Sequence, residues 1–186
     1  MKLYIKYMVS SRCKMIVSDQ LNKLGLNPTA VNLGEVEIRE EITSPLRAQL
    51  KVSLQQYGLD LIEDKKAILI EKIKNVIIET VHFSETLPSV KFSIYLSEKL
   101  NYDYTYLSNL FSQSSGTTIE HFILRHKIER VKELITYNEL NLTEIAWKMN
   151  YSSVAHLSCQ FKKITGLTAS DFKSKHQKER RMLERV

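Results

Sequence analysis

Few residues in this sequence could carry chemistry by type and spacing. The chain has two cysteines, Cys13 and Cys159, and no disulfide framework or paired-cysteine zinc motif can be built from them. A reducing compartment is the simpler reading. Cys13 has Met8 and Met15 beside it, and one thiolate with two thioethers could in principle hold Cu(I). One structural cysteine between core methionines is the more ordinary arrangement. A self-modifying, alkyl-accepting cysteine would need a thiolate activated by zinc and further cysteines, which two scattered thiols do not supply. No Ser-His-Asp set, glycine-rich phosphate loop or His-Glu metal motif occurs, so neither an enzyme nor a cofactor is expected. The remaining candidates are mostly uncharged hydrogen-bonding or small side chains at helical spacing. One group is Thr105, Tyr106, Ser108, Asn109 and Gln113; the other is Val154, Ala155, His156, Ser158 and Cys159, followed by Lys162 and Lys163. Asn and Gln amides can pair bidentately with adenine, Ser and Thr read less selectively, and Val or Ala can meet a thymine methyl. Neither group contains arginine, so a guanine-rich target is not expected.

Those two groups need elements to present them, and the second half supplies them twice. Leu142 to Phe172 reads as a short helix, a turn at Asn150-Tyr151, and a second helix with Leu157, Phe161 and Ile164 on its inner side. Leu96, Leu100, Asn101 and Tyr102 match Ile145, Met149, Asn150 and Tyr151 at an offset of 49. Past the turn the offset becomes 50, with Leu107, Phe111, Gly116, Thr118 and Phe122 matching Leu157, Phe161, Gly166, Thr168 and Phe172. Asn101 and Asn150 suit the left-handed conformation of a tight turn. Asp103 and Ser152 or Ser153 can cap the second helices. After Gly116 and Gly166, Thr117-x-x-Glu120 and Thr168-x-x-Asp171 can restart helix as capping boxes. Ile119, Phe122, Ile123, Ile128, Val131, Leu134 and Ile135 would then line one rigid helix joining the two units.

The first half reads as strand, helix, strand, strand, helix, strand. Leu3, Ile5, Tyr7 and Val9 alternate along a first strand, and Ser11 can cap a helix to Leu24 with Ile16, Val17, Leu21 and Leu24 inside. Two short strands broken near Gly34 cover Val31 to Ile38, Ser44-Pro45 starts a helix to Gly58, and Leu59 to Ile62 is the last strand. The expected class is therefore an α+β, ferredoxin-like βαββαβ unit at 1–63, followed by an all-α double helix-turn-helix unit. A broadly apolar helix at 64–84 would pack between the units or form a homodimer contact. The second unit is placed at 85–178, with a basic tail at 179–186.

Net charge is +6, and residues 162–186 alone hold eight basic against three acidic groups, which fits a polyanionic partner. The N-terminal MKLYIKYMV has no continuous apolar run, so neither a secretory signal nor a membrane span is read there, and a cytoplasmic location is expected.

From about Phe92 to Lys173 the chain resembles the DNA-binding domain of the AraC/XylS family of bacterial transcription regulators. The paired units, the TEIA run at Thr143 to Ala146, the QFKK-x-TG run at Gln160 to Gly166, and the longer second turn carry the resemblance. Asn150 stands where that family usually has glycine and Ala169 where proline is frequent. The resemblance implies double-stranded operator DNA as partner, with RNA polymerase a further candidate, and two recognition helices in successive major-groove segments. About 84 residues of βαββαβ pattern leave no room for the family's sugar-binding barrel. The pattern instead resembles heavy-metal-associated domains, without their cysteine pair, which leaves a soft-metal-responsive regulator built on Cys13 as the alternative reading.

Overall fold

The computed structural model describes residues 1–175; the expected tail at 179–186 and the end of the expected 85–178 unit lie outside them. The first half runs β1 (Lys2–Lys6), α1 (Ser11–Lys23), β2 (Pro28–Asn32), β3 (Glu35–Ile38), α2 (Ser44–Gln55) and β4 (Asp60–Ile62). The four strands form one sheet in the order β2-β3-β1-β4, every neighbouring pair antiparallel. Leu3 lies opposite Val36 and Ile5 opposite Leu61, so one face of the sheet is apolar. It is buried with Val17 and Leu21 of α1 and Leu50 and Leu54 of α2.

The first strand is shorter than its alternation predicts. Tyr7 takes a left-handed φ of 67°, which flips the chain so that Met8 turns into the core while Tyr7 and Val9 face solvent. The helix that follows starts one residue early, with Ser10 at its N-cap. The Ser10 hydroxyl lies 3.4 Å from Cys13 Sγ instead of capping the backbone. The two thioethers expected beside Cys13 lie in different surroundings: Met8 is fully buried and Met15 is 72% exposed. Burial pushes the Cys13 thiol up, but hydrogen bonds from Ser10 and nearby amides outweigh it and hold the thiol below its ordinary range.

The connecting stretch is α3 (Lys65–Ile78), capped by Asp64, which continues into a π-helical turn (Glu79–Phe83). Leu69, Ile70, Ile73, Ile77 and Val81 belong to the core of the second half, whereas Ile78 belongs to the core of the sheet. The helix is thus covered on several sides within the chain. Most of its apolar residues are covered within the chain, and Phe83, 56% exposed, is the large apolar side chain of 64–84 that stays on the surface. Asn75 is buried on α3 and donates to the Leu33 carbonyl at 3.2 Å, tying the helix to the β2–β3 turn. At Gly34 in that turn, φ is +75°.

Five helices follow: α4 (Phe92–Leu100), α5 (Tyr104–Ser115), α6 (Ile119–Tyr137), α7 (Leu142–Lys148) and α8 (Val154–Thr165), with helical backbone again at 169–175. Ile119, Ile123, Ile128, Val131, Leu134 and Ile135 of α6 are all buried, and Phe122 touches both cores. This places α6 as the single rod against which both two-helix units pack.

Candidate nucleic-acid interface

Local sequence sets each unit's geometry. Asn101 and Asn150 take φ of 57° and 52°, ending the first helix of each unit in the left-handed region. At the second site the side chain adds a tie, because Asn150 Nδ2 donates to the Pro88 carbonyl at 3.1 Å. Asp103 accepts from the Tyr106 amide at 3.2 Å and Ser153 from the His156 amide at 3.1 Å, which fixes where α5 and α8 begin. Gly116 and Gly166 close these helices with φ of 65° and 81°. The helix after the first unit is capped by Thr118, one residue later than expected, accepting from the His121 amide at 3.1 Å. Glu120 does not reach back as a capping box but accepts from the Tyr104 hydroxyl, which holds its carboxyl below the ordinary range. A reciprocal box does form at Asn141 and Glu144, at the start of α7.

With Leu107, Leu110 and Phe111 buried in α5, and Leu157 and Phe161 in α8, the opposite faces point outward. On α5, Thr105, Tyr106, Asn109 and Gln113 are exposed and Ser108 is half-buried. On α8, Ala155, His156, Cys159, Lys162 and Lys163 are exposed. Two residues expected on that face sit at its edge instead. Val154 is half-buried against the core, and the half-buried Ser158 accepts from the Ala169 amide at 3.3 Å. That bond exists because Ala169, unlike proline, carries an N–H.

The two units differ around their matched tyrosines. Tyr102 is 48% exposed and stacks on Tyr106, ring centroids 5.7 Å apart, forming an aromatic ledge at the start of α5. Tyr151 is buried, edge-on to His156 at 5.3 Å, with Lys127 Nζ 4.4 Å from its ring centroid. Burial pushes Lys127 down to about 8 and Tyr151 up to about 12. The ledge was missed from sequence because matched tyrosines imply matched environments. Trp147 was also missed, although it lies two residues beyond buried Ile145 and so on the outer side of α7, where it is 77% exposed.

At the junction between halves, His82 on the π-helical turn meets His126 on α6, Nε2 to Nδ1 3.1 Å. Burial lowers both, His126 to about 4. The pair borders a cavity of about 490 Å³ lined also by Val9, Phe83 and Glu133. Among the described residues no group of three or more His, Cys, Asp and Glu is placed to hold a metal ion. No helix among them is long and apolar enough to cross a membrane.

Residues 96–175 match the model of a family described as a helix-turn-helix domain. An uncharacterised helix-turn-helix-type transcriptional regulator of Staphylococcus aureus is 26% identical over 156 residues, covering 83% of this chain and 20% of the relative. The chain therefore spans about a fifth of the length of the curated relatives it matches. Among solved structures, the C-terminal domain of AraT, a response regulator from Geobacillus stearothermophilus, is 24% identical with a TM-score of 0.51, covering 60% of this chain and 88% of that one. ToxT from Vibrio cholerae superposes with a TM-score of 0.51 at 14% identity, covering 88% of this chain and 67% of that one. These structural likenesses are of fold.

Proposed function

We propose that this chain, whose residues 96–175 match a helix-turn-helix domain of the AraC/XylS type, is a sequence-specific regulator of transcription that reads two adjacent major-groove segments of duplex DNA. The observation that carries the reading is the pair of capped helices, α5 and α8, whose inner faces are locked onto one buried rod, α6, while their outer faces stay open. Thr105, Tyr106, Asn109 and Gln113 in one unit, and Ala155, His156 and Cys159 in the other, face base edges. Ser108, Val154 and Ser158 flank them, and Lys162 and Lys163 meet phosphates. The chain acts by binding rather than by catalysis and works in the cytoplasm, with RNA polymerase a partner on the DNA.

The N-terminal unit, 1–63, is ferredoxin-like: the element order and the antiparallel β2-β3-β1-β4 sheet support that reading. Residues 64–84 act as the strut that holds it to the reader at 85–178. The test is titration of the full chain with duplex DNA at rising salt. Binding should be tight at low salt, and log K should fall by about 0.9 per phosphate contact for each decade of salt. A folded chain that binds no duplex at low salt would refute the function.

A further inference from the structure

Resting on the reading of this chain as a duplex DNA reader, we propose that its two units divide the work unequally. The first recognition helix, α5, supplies most of the base discrimination, and the second, α8, reads bases more weakly and contributes mainly a grip on the backbone.

The division follows from what each helix has left to offer after folding. On α5 the outward stripe holds Asn109 and Gln113, both exposed, and neither amide makes a hydrogen bond within the described chain. Each amide presents a donor and an acceptor together, the pattern that pairs with an adenine edge. Thr105 lies on the same stripe, and the stacked Tyr102 and Tyr106 rings extend it as an apolar ledge of the kind that meets thymine methyls. No residue of α5 is charged. Its contribution to affinity is therefore directional hydrogen bonding and shape, with little Coulombic attraction to phosphate.

On α8 most of the polar groups that could read bases are already engaged. Ser153 caps the helix, Ser158 accepts from the Ala169 amide, and His156 Nδ1 lies 3.0 Å from Ser152 Oγ with its ring edge-on to Tyr151. Gln160 is half-buried on the flank. What remains outward is the Ala155 methyl, the Cys159 thiol, the Nε2 of His156 on a ring held by Ser152 and Tyr151, and the ammonium groups of Lys162 and Lys163. A methyl and a thiol discriminate weakly, and an ammonium on a flexible stem acts as a point charge without the fixed fork that reads guanine.

Selection of bound sequences from random duplex DNA by the full chain, followed by base-by-base substitution in each half-site, tests the division. The preferred bases should concentrate in one half, where single substitutions cost roughly tenfold or more, against two- to threefold at most in the other. Asn109→Ala with Gln113→Ala should flatten the preferences of the discriminating half and leave the salt slope unchanged. Lys162→Gln with Lys163→Gln should weaken binding to all sequences alike and reduce the salt slope by about 1.8. All four side chains are exposed, and circular dichroism on each variant checks that the helices persist. Equal preference in both halves, or a change of base preference in the lysine variant, overturns the division while leaving DNA reading intact. Failure of every sequence to bind at low salt overturns the DNA reading and the division with it.

Discussion

Replacing Gly34 by alanine tests whether the β2–β3 turn is the seat on which the connecting helix is fixed. A β-carbon there would overlap Asn75 Nδ2 and lie 3.1 Å from Asn75 Cγ, at a backbone φ of +75°. The left-handed conformation alone costs a residue with a β-carbon about 1–2 kcal/mol. Pushing Asn75 off the buried Leu33 carbonyl adds about 1–3 kcal/mol, because amide and carbonyl both lose a partner away from water. Gly25 is the control: φ is +72° but nothing lies within 4 Å of a built β-carbon. Gly25→Ala should therefore cost only the backbone share, about 1–2 kcal/mol. Urea unfolding followed by circular dichroism measures both. With a slope of about 1–3 kcal/mol per molar, a further loss of about 2 kcal/mol in Gly34→Ala lowers the midpoint by about 0.7–2 M relative to Gly25→Ala. Adding Asn75→Ala to Gly34→Ala should cost less than the two single changes together, since the collision disappears with the amide. Equal midpoints for Gly34→Ala and Gly25→Ala would refute the seat.

Acidification should destabilise the junction. His82 and His126 both sit below the ordinary 6.5 through burial, His126 at about 4, so between about pH 6.5 and 4 the unfolded chain binds more protons and stability falls as pH drops. Glu129 and Glu133 oppose this shift and Arg125 and Arg130 reinforce it, and His126→Gln should flatten the pH dependence of the urea midpoint in that window. Asp103→Ala and Ser153→Ala should each cost about 1 kcal/mol, read in thermal unfolding, because each removes the side-chain acceptor that starts a recognition helix. Phe122→Ala should cost about 3 kcal/mol and lower amide-exchange protection in the sheet and in α5 together, since its ring packs on both cores and lies 5.5 Å from Phe111. If only one of those two regions loses protection, Phe122 does not couple them.

Elements with strong period and punctuation were readable from residues alone. The buried stripe of α6, the glycine ends of α5 and α8, and the left-handed turns at Asn101 and Asn150 all follow from local rules that tertiary packing reinforces. Departures occur where one residue's register decides the outcome. Tyr7 fits an alternating strand by pattern, but its positive φ reverses the alternation, and nothing in Tyr-Met-Val marks that position for a left-handed turn. Thr117 and Thr118 are equally good caps by type, and it is the second that accepts from the His121 amide. The outward faces of α5 and α8 were legible from the spacing of Leu107, Phe111, Leu157 and Phe161. The hydrogen bonds that occupy Ser158 Oγ and one ring nitrogen of His156 were not, because Ala169 and Ser152 are their partners and no periodicity announces such pairs.

The change of offset from 49 to 50 accounts for the asymmetry between the units. In the first unit Tyr102 is the sole residue between the left-handed Asn101 and the capping Asp103. In the second, Tyr151 and Ser152 both lie between Asn150 and the capping Ser153. One more residue gives the chain up to about 3.5 Å of additional reach. With that reach the second turn folds its tyrosine under the helix, 7% exposed, and sets Ser152 against the His156 ring. Without it the first turn leaves Tyr102 outside, where Tyr106 stacks on it and the amides of Asn109 and Gln113 stay free. Deleting Ser152 should therefore push Tyr151 outward and release His156. Tyr151 fluorescence quenching by acrylamide would then rise toward that of Tyr102, measured in chains where each is compared with its own Phe replacement. Unchanged quenching in the deletion variant, with α8 still helical, would show that the core rather than the turn length sets the tyrosine's side.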